Sequence, residues 1–196
     1  TAVCKAIKRQ YPDSQLIVIT AYQDVFLNNP HVHRVFAFGQ ATYFYTDYVE
    51  NKNVKLMIHD PYLDTLFLGN KNHLIKVWCE MNGIDYNGEQ PELYLTDREY
   101  EFNKKKFYSD RPIMILQTNG GAPNQQHKYS WARDIPAQVA LKVIERFHNE
   151  YAIAHIRRED QPVYEHTIPM TDGNFRSIAA LIKMSSLRLM MDSFGQ

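Results

Sequence analysis

The sequence predicts an α/β protein built on parallel sheets. Short apolar runs rich in β-branched residues alternate along the chain with stretches of helical periodicity. The alternation occurs twice, once on each side of a charged segment near the middle of the chain. Strands that alternate with helices form βαβ units, in which successive strands run parallel.

The first half of the sequence predicts seven secondary-structure elements. Residues 1–11 carry apolar side chains at helical spacing and end at Pro12, which stops a helix. "SQLIVIT" predicts a buried strand, and "YQDVFLNNP" predicts a helix that Asn-Asn-Pro terminates. The elements that follow are the strands "HRVFAFG" and "VKLMIHD", the helix "NHLIKVWCEMNGI" with Gly83 as its stop, and the strand "ELYLTD".

A charged helix, "DREYEFNKKKF", runs into a polar segment at residues 103–111 that ends before Pro112. Polar linkers separate hydrophobic cores, so this segment predicts a domain boundary. The predicted domains are 1–108 and 109–196. A solvated helix end has the same composition and stays open as an alternative.

After Pro112 the alternation of strands and helices restarts. "IMILQT" predicts a strand that enters the loop "NGGAPNQQHKYSW", and "PAQVALKVIERFHNE" predicts an amphipathic helix. The remaining predicted elements are the strand "YAIAHIR", a polar loop, the helix "NFRSIAALIKMS" and the strand "LRLMMDS".

Composition narrows the class of protein. The chain has 196 residues, 44% of them apolar, which is ample for packed cores. Its 22 basic and 22 acidic residues give no broad basic surface for nucleic acid. Cys4 and Cys79 match no metal-ligand spacing and predict free thiols in a reducing compartment. No apolar run approaches the roughly 18 residues of a membrane span, so a cytoplasmic location is expected.

Three predicted strand ends carry groups suited to a ligand, and ligands of open parallel sheets bind at the carboxyl ends of strands. The first is "QTNGGAPNQQHK". Gly120 and Gly121 allow backbone amides to approach an anion closely, and Lys128 adds a positive charge. The loop is neither a P-loop nor a dinucleotide-binding fingerprint, so a plain surface loop stays open.

The second strand end is Asp192, Ser193, Phe194 and Gly195, which follow "LRLMM". Asp192 either caps the next helix or binds a ligand hydroxyl or amine beside a phosphate at that helix N-terminus. Both interpretations fit the spacing.

The third strand end is His59 and Asp60, after "VKLMI". An imidazole beside a carboxylate can act as a general base. A turn at Asp60-Pro61 that ends the strand is the preferred interpretation. The other histidines have no metal-ligand spacing, and neither Asp-x-Asp nor Gly-x-Ser-x-Gly occurs.

Five segments, taken in order, resemble a known family. They are "TAVCKAIKRQYPDSQLIVIT", "NPHVHRVFAF", "NHLIKVWCEMNGI", "GGAPNQQHKYSW" and "FRSIAALIKMSSLRLMMDSFGQ". Their order and spacing resemble glycosyltransferase family 9, which contains the ADP-heptose:lipopolysaccharide heptosyltransferases. Asn82 departs from the family's Leu-Gly-Ile, two residues rather than one separate Lys128 from Trp131, and Phe194 interrupts its Asp-Ser-Gly-x-x-His motif.

The resemblance implies a GT-B fold, in which two Rossmann-like domains face each other across a cleft. The domain at 1–108 is then acceptor-side and the domain at 109–196 binds a nucleotide-sugar. The implied reaction is inverting and metal-independent, and moves a heptose-like sugar to a lipopolysaccharide or other glycan. Implied catalytic residues are Lys128 and Asp192, and implied donor-binding residues are Thr118, Gly120, Gly121, Met170, Ser193 and Gly195; His59 and Asp60 are acceptor-side candidates.

The family's Gly-Asp loop, which supplies its proposed catalytic base, precedes the segment that resembles Thr1 onwards. The chain is therefore expected to be a fragment that begins after that loop and stops inside the donor motif. No cofactor is implied, and the sugar donor is implied to be ADP-linked. Peripheral contact with the inner membrane is a further expectation, with "NKKKF" as a short candidate.

Two other functions stay open. One is a nucleotide-sugar epimerase of the UDP-N-acetylglucosamine 2-epimerase type, which shares the GT-B architecture. The other is a module that binds sugar-nucleotides or glycans without catalysis. Aromatic residues in "FAFGQATYFYTDYVE" are able to stack on sugar rings, although core packing accounts for most of them.

Overall fold

The computed structural model describes residues 1–58, 60–69, 71–120, 134–171 and 174–191. The chain forms two compact units, Thr1–Leu95 and Thr96–Gln196. This division lies ahead of the segment 103–111 that the sequence favours, because helix α5 (Asp97–Lys106) packs against helix α7 (Phe175–Met184) of the second unit. Helices alternating with parallel strands confirm the α/β class.

The first unit is built on one parallel pair of strands. Strands β1 (Ile17–Thr20) and β2 (Arg34–Ala37) pair in register from Ile17 opposite Arg34 to Thr20 opposite Ala37. The helices of this unit are α1 (Ala2–Gln10), α2 (Phe44–Tyr48), α3 (Thr65–Leu68) and α4 (Leu74–Met81), with 3₁₀ turns at Gln23–Val25 and Pro61–Leu63.

Helices α1 and α4 form the core of the first unit. Ala6 and Ile7 of α1 pack with Cys79 of α4 and with Ile84, which follows it. Helix α4 ends where the sequence predicts, because Gly83 takes a φ of +62° that suits glycine at a helix terminus. Cys4 and Cys79 are both free thiols.

The second unit is a four-stranded parallel sheet with the order β5-β4-β3-β6. Strand β3 (Ile113–Gln117) pairs with β4 (Ala152–Ile156) on one side and with β6 (Leu187–Met190) on the other. The edge strand is β5 (Thr167–Met170), and helix α6 (Ala137–Phe147) connects β3 to β4.

Side chains of the second sheet alternate between two packed faces. Met114, Leu116 and Ile153 pack on one face with Ile144 of α6. Ile115 and Ala154 pack on the other face with α7, and Phe107 at the end of α5 joins them. A sheet covered by helices on both faces is the arrangement that βαβ units produce.

Three predicted elements of the first unit are wrong. Residues 54–58 and 92–96 are not strands, and "YQDVFLNNP" forms only the turn Gln23–Val25. Alternating apolar residues favour an extended backbone, but a strand also needs a neighbour to pair with, and neither stretch has one among the ranges given above. Val54, Leu56 and Ile58 are accordingly exposed.

Strand β5 was not predicted, because "TIPM" lies within a polar stretch and contains Pro169. A proline has no N–H for the ladder and is tolerated at a sheet edge, where β5 lies. Within the described parts of the chain, no helix is both long and apolar enough to cross a bilayer.

One ion pair fastens α5 to α7. Arg176 donates from Nε to Glu99 Oε1 at 2.5 Å and from Nη2 to Oε2 at 2.9 Å. The Glu99 amide donates to the Thr96 hydroxyl, and the Thr96 amide donates to Glu99 Oε2 at 2.8 Å, which together form a capping box at the start of α5. The Thr96 hydroxyl also donates to Oε2 at 2.9 Å. The hydrogen bonds from Arg176 lower the pKa of Glu99 to about 2.

We expect Glu99→Gln to lower the free energy of unfolding of the second unit by about 2 kcal/mol at pH 7. Breaking a buried pair costs about 3–5 kcal/mol, and the figure is reduced because the Glu99 side chain is 32% exposed. Urea denaturation measures it. Glu101→Gln removes an exposed pair with Lys104 at 3.9 Å and is the matched control, expected within about 0.5 kcal/mol of the parent. Equal effects of the two substitutions would contradict the structural role of Glu99.

Candidate functional site

The strand order of the second unit reverses between β3 and β6. From β3 the chain builds outwards through β4 to β5, and β6 then returns to the opposite side of β3. Gln117 and Met190, the last residues of β3 and β6, lie opposite each other in the ladder. Crevices at the carboxyl ends of strands where the order reverses are the usual ligand sites of open parallel sheets. Of the two segments that the sequence analysis selects as donor-binding, one begins directly after β3 with Thr118, and the other follows β6 in the sequence.

Thr118 follows β3 directly and is buried beside His155 of β4. Its Oγ1 lies 3.0 Å from His155 Nε2 and donates to Asn119 Oδ1 at 2.8 Å. Thr118 Oγ1 and His155 Nε2 thus share a buried hydrogen bond, whose donor is set by the tautomer of the imidazole. The carboxyl end of β3 is thus fixed by a chain of hydrogen bonds from the imidazole to the Asn119 amide.

His155 is completely buried, and burial together with the charge of Arg157 lowers its pKa to about 4. The imidazole is therefore neutral at pH 7. Its ring lies 5.3 Å from that of Tyr164, and Nδ1 has no hydrogen-bond partner among the residues that the structure describes. A buried neutral imidazole fixes the orientation of Thr118 without adding charge to the edge of the sheet.

The residues on either side of segment 121–133 are held together. Ile135 N donates to Thr118 O at 2.7 Å, and Asn119 and Asp134 form an antiparallel bridge. Gly120 N donates to Asp134 Oδ1 at 3.2 Å. The Gly120 amide, a candidate for binding a diphosphate, is therefore occupied by a carboxylate, which a phosphate would have to displace.

Met170 is not adjacent to Thr118. It ends β5, two strands away from β3, and its carbonyl accepts from Arg157 N at 3.1 Å. Its side chain packs on the α7 face and lines a cavity of about 110 Å³ with Ile168, Ile113 and Phe107. This cavity lies on the opposite face of the sheet from Thr118 and His155, so the two features are separate.

Asp60, an acceptor-side candidate, caps the 3₁₀ turn that follows it. Its Oδ1 accepts from Tyr62 N at 3.0 Å. This is the turn that the sequence analysis prefers at Asp60-Pro61. Its partner candidate His59 lies outside the described residues.

Five further predicted site residues also lie outside the described residues. In the remainder of the chain, no three His, Cys, Asp or Glu side chains lie close enough together to hold a metal ion. The five residues are Gly121, Lys128, Asp192, Ser193 and Gly195.

His155 is the residue of this site that the sequence analysis missed. It was grouped with the histidines that lack metal-ligand spacing. The signal was present in "YAIAHIR", because a histidine two positions after the inward-facing Ile153 falls on the same buried face of the strand. A buried imidazole near the carboxyl end of a parallel strand is a site candidate without any metal motif.

We expect the free energy of unfolding of the second unit to fall by up to about 3 kcal/mol between pH 6.5 and pH 4. The unfolded chain binds a proton at His155 below about pH 6.5, and the folded chain binds it only near pH 4. Stability is therefore complete above the higher value and is lost as the pH falls. Urea titrations at several pH values should show a flatter profile for His155→Gln. The exposed His33→Gln is the control, and an unchanged slope in His155→Gln would refute the assignment.

Comparison with known proteins identifies one fold. The chain is similar to the solved structure of the ADP-heptose LPS heptosyltransferase II of E. coli, with a TM-score of 0.63 over 98% of this chain and 74% of that one. The two sequences are 13% identical. No protein-family profile and no curated sequence matches the chain. The structural similarity confirms a GT-B type α/β fold of the heptosyltransferase kind.

Proposed function

We propose that the chain is a glycosyltransferase that moves a sugar from a nucleoside-diphosphate donor to a glycan acceptor. The observation that carries the proposal is the reversal of strand order between β3 and β6, whose last residues Gln117 and Met190 lie opposite each other. In the sequence Thr118 and Gly120 follow β3, and Asp192 follows β6. The likeness to a heptosyltransferase fold supports the same class of reaction.

In the proposed reaction an acceptor hydroxyl oxygen bonds to the anomeric carbon as the bond to the diphosphate breaks. The stereochemistry is inverted, and a base takes the hydroxyl proton. Negative charge gathers on the diphosphate leaving group, and hydrogen-bond donors aimed at that charge lower the barrier. We assign this role to Lys128 and the amides of Gly120 and Gly121.

The other proposed residues bind the donor. Thr118 is held by His155 where it can position the loop that follows β3. Asp192, Ser193 and Gly195 complete the pocket after β6, with Asp192 acting at the reacting end. Met170 is proposed at the nucleobase end, and its distance from β3 is compatible with an extended ligand laid along the strand ends.

The finer assignment takes its donor and acceptor from the name of the fold neighbour and its remaining features from the family resemblance. We propose an ADP-linked, heptose-like donor, a lipopolysaccharide or other glycan acceptor, and catalysis without a metal or other cofactor. The setting proposed is the cytoplasmic side of the inner membrane, with peripheral contact only.

A nucleotide panel tests the proposal directly. Thermal unfolding of the chain is followed with each nucleoside diphosphate and its sugars, with and without magnesium. A rise in Tm with one nucleotide that magnesium does not change supports a metal-independent donor site, since ligands that bind only the folded state stabilise it. Incubation with an acceptor then separates transfer from epimerisation by product analysis. No shift with any nucleotide would refute donor binding by this chain.

Lys128→Ala should weaken nucleoside-diphosphate binding by about ten- to a hundredfold, the loss of one charge-assisted hydrogen bond to phosphate. Isothermal titration calorimetry with ADP measures it. Lys142→Ala, which removes an exposed lysine of α6, is the matched control and should leave the Kd unchanged. Lys128 has no role in the donor site if both variants bind as the parent does.

Asp134→Asn should tighten ADP binding by about fivefold. The carboxylate 3.2 Å from Gly120 N repels a diphosphate that approaches the same amide, and removing one negative charge at this range is worth about 1 kcal/mol. The asparagine keeps an acceptor for Gly120, so the loop closure is preserved. Calorimetry with ADP measures the Kd of this variant and of the control Asp110→Asn, which removes an exposed carboxylate of the same unit. Unchanged or weaker binding in Asp134→Asn would exclude the Gly120 amide as a phosphate ligand.

A further inference from the structure

Three aromatic side chains in the first unit are exposed where its strands end. Tyr22 is 75% exposed, Phe38 78% and Tyr43 76%. We call them the aromatic edge. Single exposed apolar residues are common on protein surfaces, but three large aromatic rings in the loops that follow one pair of strands are not explained by core packing.

The backbone places two members of the aromatic edge beside the last residue of β1. Phe38 N donates to Thr20 O at 3.0 Å, and Tyr22 N donates to Thr20 Oγ1 at 3.1 Å. Tyr43 closes the loop that Phe38 opens after β2. Tyr22 and Phe38 therefore follow the carboxyl ends of parallel strands, the edge at which such sheets bind ligands, and Tyr43 ends the loop that begins there.

Neighbouring aromatics of the same segment have a different role. Phe36, Phe44 and Tyr48 pack against one another with ring centroids 5.9–6.0 Å apart. The guanidinium of Arg34 lies over the Phe36 ring at 4.7 Å. This packed cluster accounts for half of the aromatic segment and supports the loop that carries Phe38 and Tyr43, whose rings stay outside it.

The backbone of Tyr43 is strained. Its φ is +59°, in the left-handed region that bulky residues rarely adopt. Asparagine or glycine would adopt that conformation more readily, and the exposed ring gains almost nothing from burial to offset the strain. Strain that burial of the ring does not offset motivates the hypothesis that Tyr43 contacts a ligand.

We propose that the aromatic edge binds a pyranose ring of the glycan acceptor, a proposal that rests on the proposed function. A pyranose has a C–H face that packs on an aromatic ring and a rim of hydroxyls. The rings of Phe38 and the two tyrosines supply the stacking faces, and the phenol hydroxyls of Tyr22 and Tyr43 supply hydrogen bonds at the rim. An aliphatic partner surface would not require these hydroxyls or flat faces.

Saturation-transfer difference NMR with methyl β-D-galactopyranoside tests the proposal on the whole chain. Irradiating aromatic protons of the protein should transfer saturation to the ring protons of the sugar's apolar face. Phe38→Ala and Tyr22→Ala should each weaken binding by about two- to tenfold, the range for one aromatic contact. Phe38→Tyr keeps a ring and should bind as the parent does.

Phe102→Ala is the matched control, because it removes an exposed ring of α5 in the second unit. Unchanged Tm values show that the variants fold. Equal saturation transfer in the parent, Phe38→Ala and Tyr22→Ala would overturn the proposal. A dimer in sedimentation that Phe38→Ala dissociates would also overturn it, because the edge would then be an interface between copies.

The same variants separate this proposal from the donor site. In each of them the Tm rise with nucleotide should equal that of the parent, since the aromatic edge belongs to the first unit. If nucleotide binds but saturation transfer to the sugar is unchanged in Phe38→Ala, the acceptor site is refuted and the donor site is supported. If saturation transfer depends on Phe38 but no nucleotide binds, the proposed function is refuted and the aromatic edge is supported as a glycan-binding surface.

Discussion

Burial of strand β3 on both faces is the constraint on which the second unit depends. Met114 and Leu116 face α6, Ile115 faces α7, and all three are at most 1% exposed. A strand that is apolar on both sides has no stable position at a solvated edge, so it must take neighbours on both sides as well as helices above and below. The return of β6 to the free side of β3 satisfies that requirement. The reversal of strand order is therefore a consequence of the apolar run "IMIL" and not an independent feature.

The same burial explains the polar chemistry at the end of β3. Thr118 continues the alternation of Met114 and Leu116 and so falls on the α6 face, where it meets His155 on the same face of β4. A charged imidazole would lose its hydration inside the packed unit, so burial lowers the pKa of His155 to about 4 and keeps the ring neutral. The hydrogen bond to Thr118 then meets one requirement of the buried ring. A fixed, uncharged support under a loop is useful next to an anionic ligand, because its orientation does not vary with protonation near neutral pH.

The alternation of apolar runs was enough to predict the α/β class, the long helices and five of the six strands of the sheets, since each has a period set by its own backbone. It was not enough for residues 54–58, whose pattern is that of a strand but whose pairing depends on a neighbour elsewhere in the chain. The sequence analysis missed strand β5 for the opposite reason: an edge strand forms with little apolar sequence, so its pattern does not reveal it. The sequence also placed Thr118 and Gly120 after a strand, where the structure has them. It did not indicate that Asp134 would occupy the Gly120 amide or that His155 would reach Thr118, because both contacts join residues distant in sequence.

The two units follow one rule and present different chemistry. In each, the residues that follow the parallel strands are the ones that we propose to contact a ligand. In the second unit these are amides, a fixed hydroxyl and a nearby carboxylate, groups that discriminate by charge and hydrogen bonding. In the first unit they are aromatic faces, which contribute contact area without charge. A charged diphosphate gains little from aromatic rings, and an uncharged sugar ring gains little from groups that would neutralise phosphate. Under the proposed function, donor and acceptor are therefore recognised separately, each by the unit whose chemistry suits it.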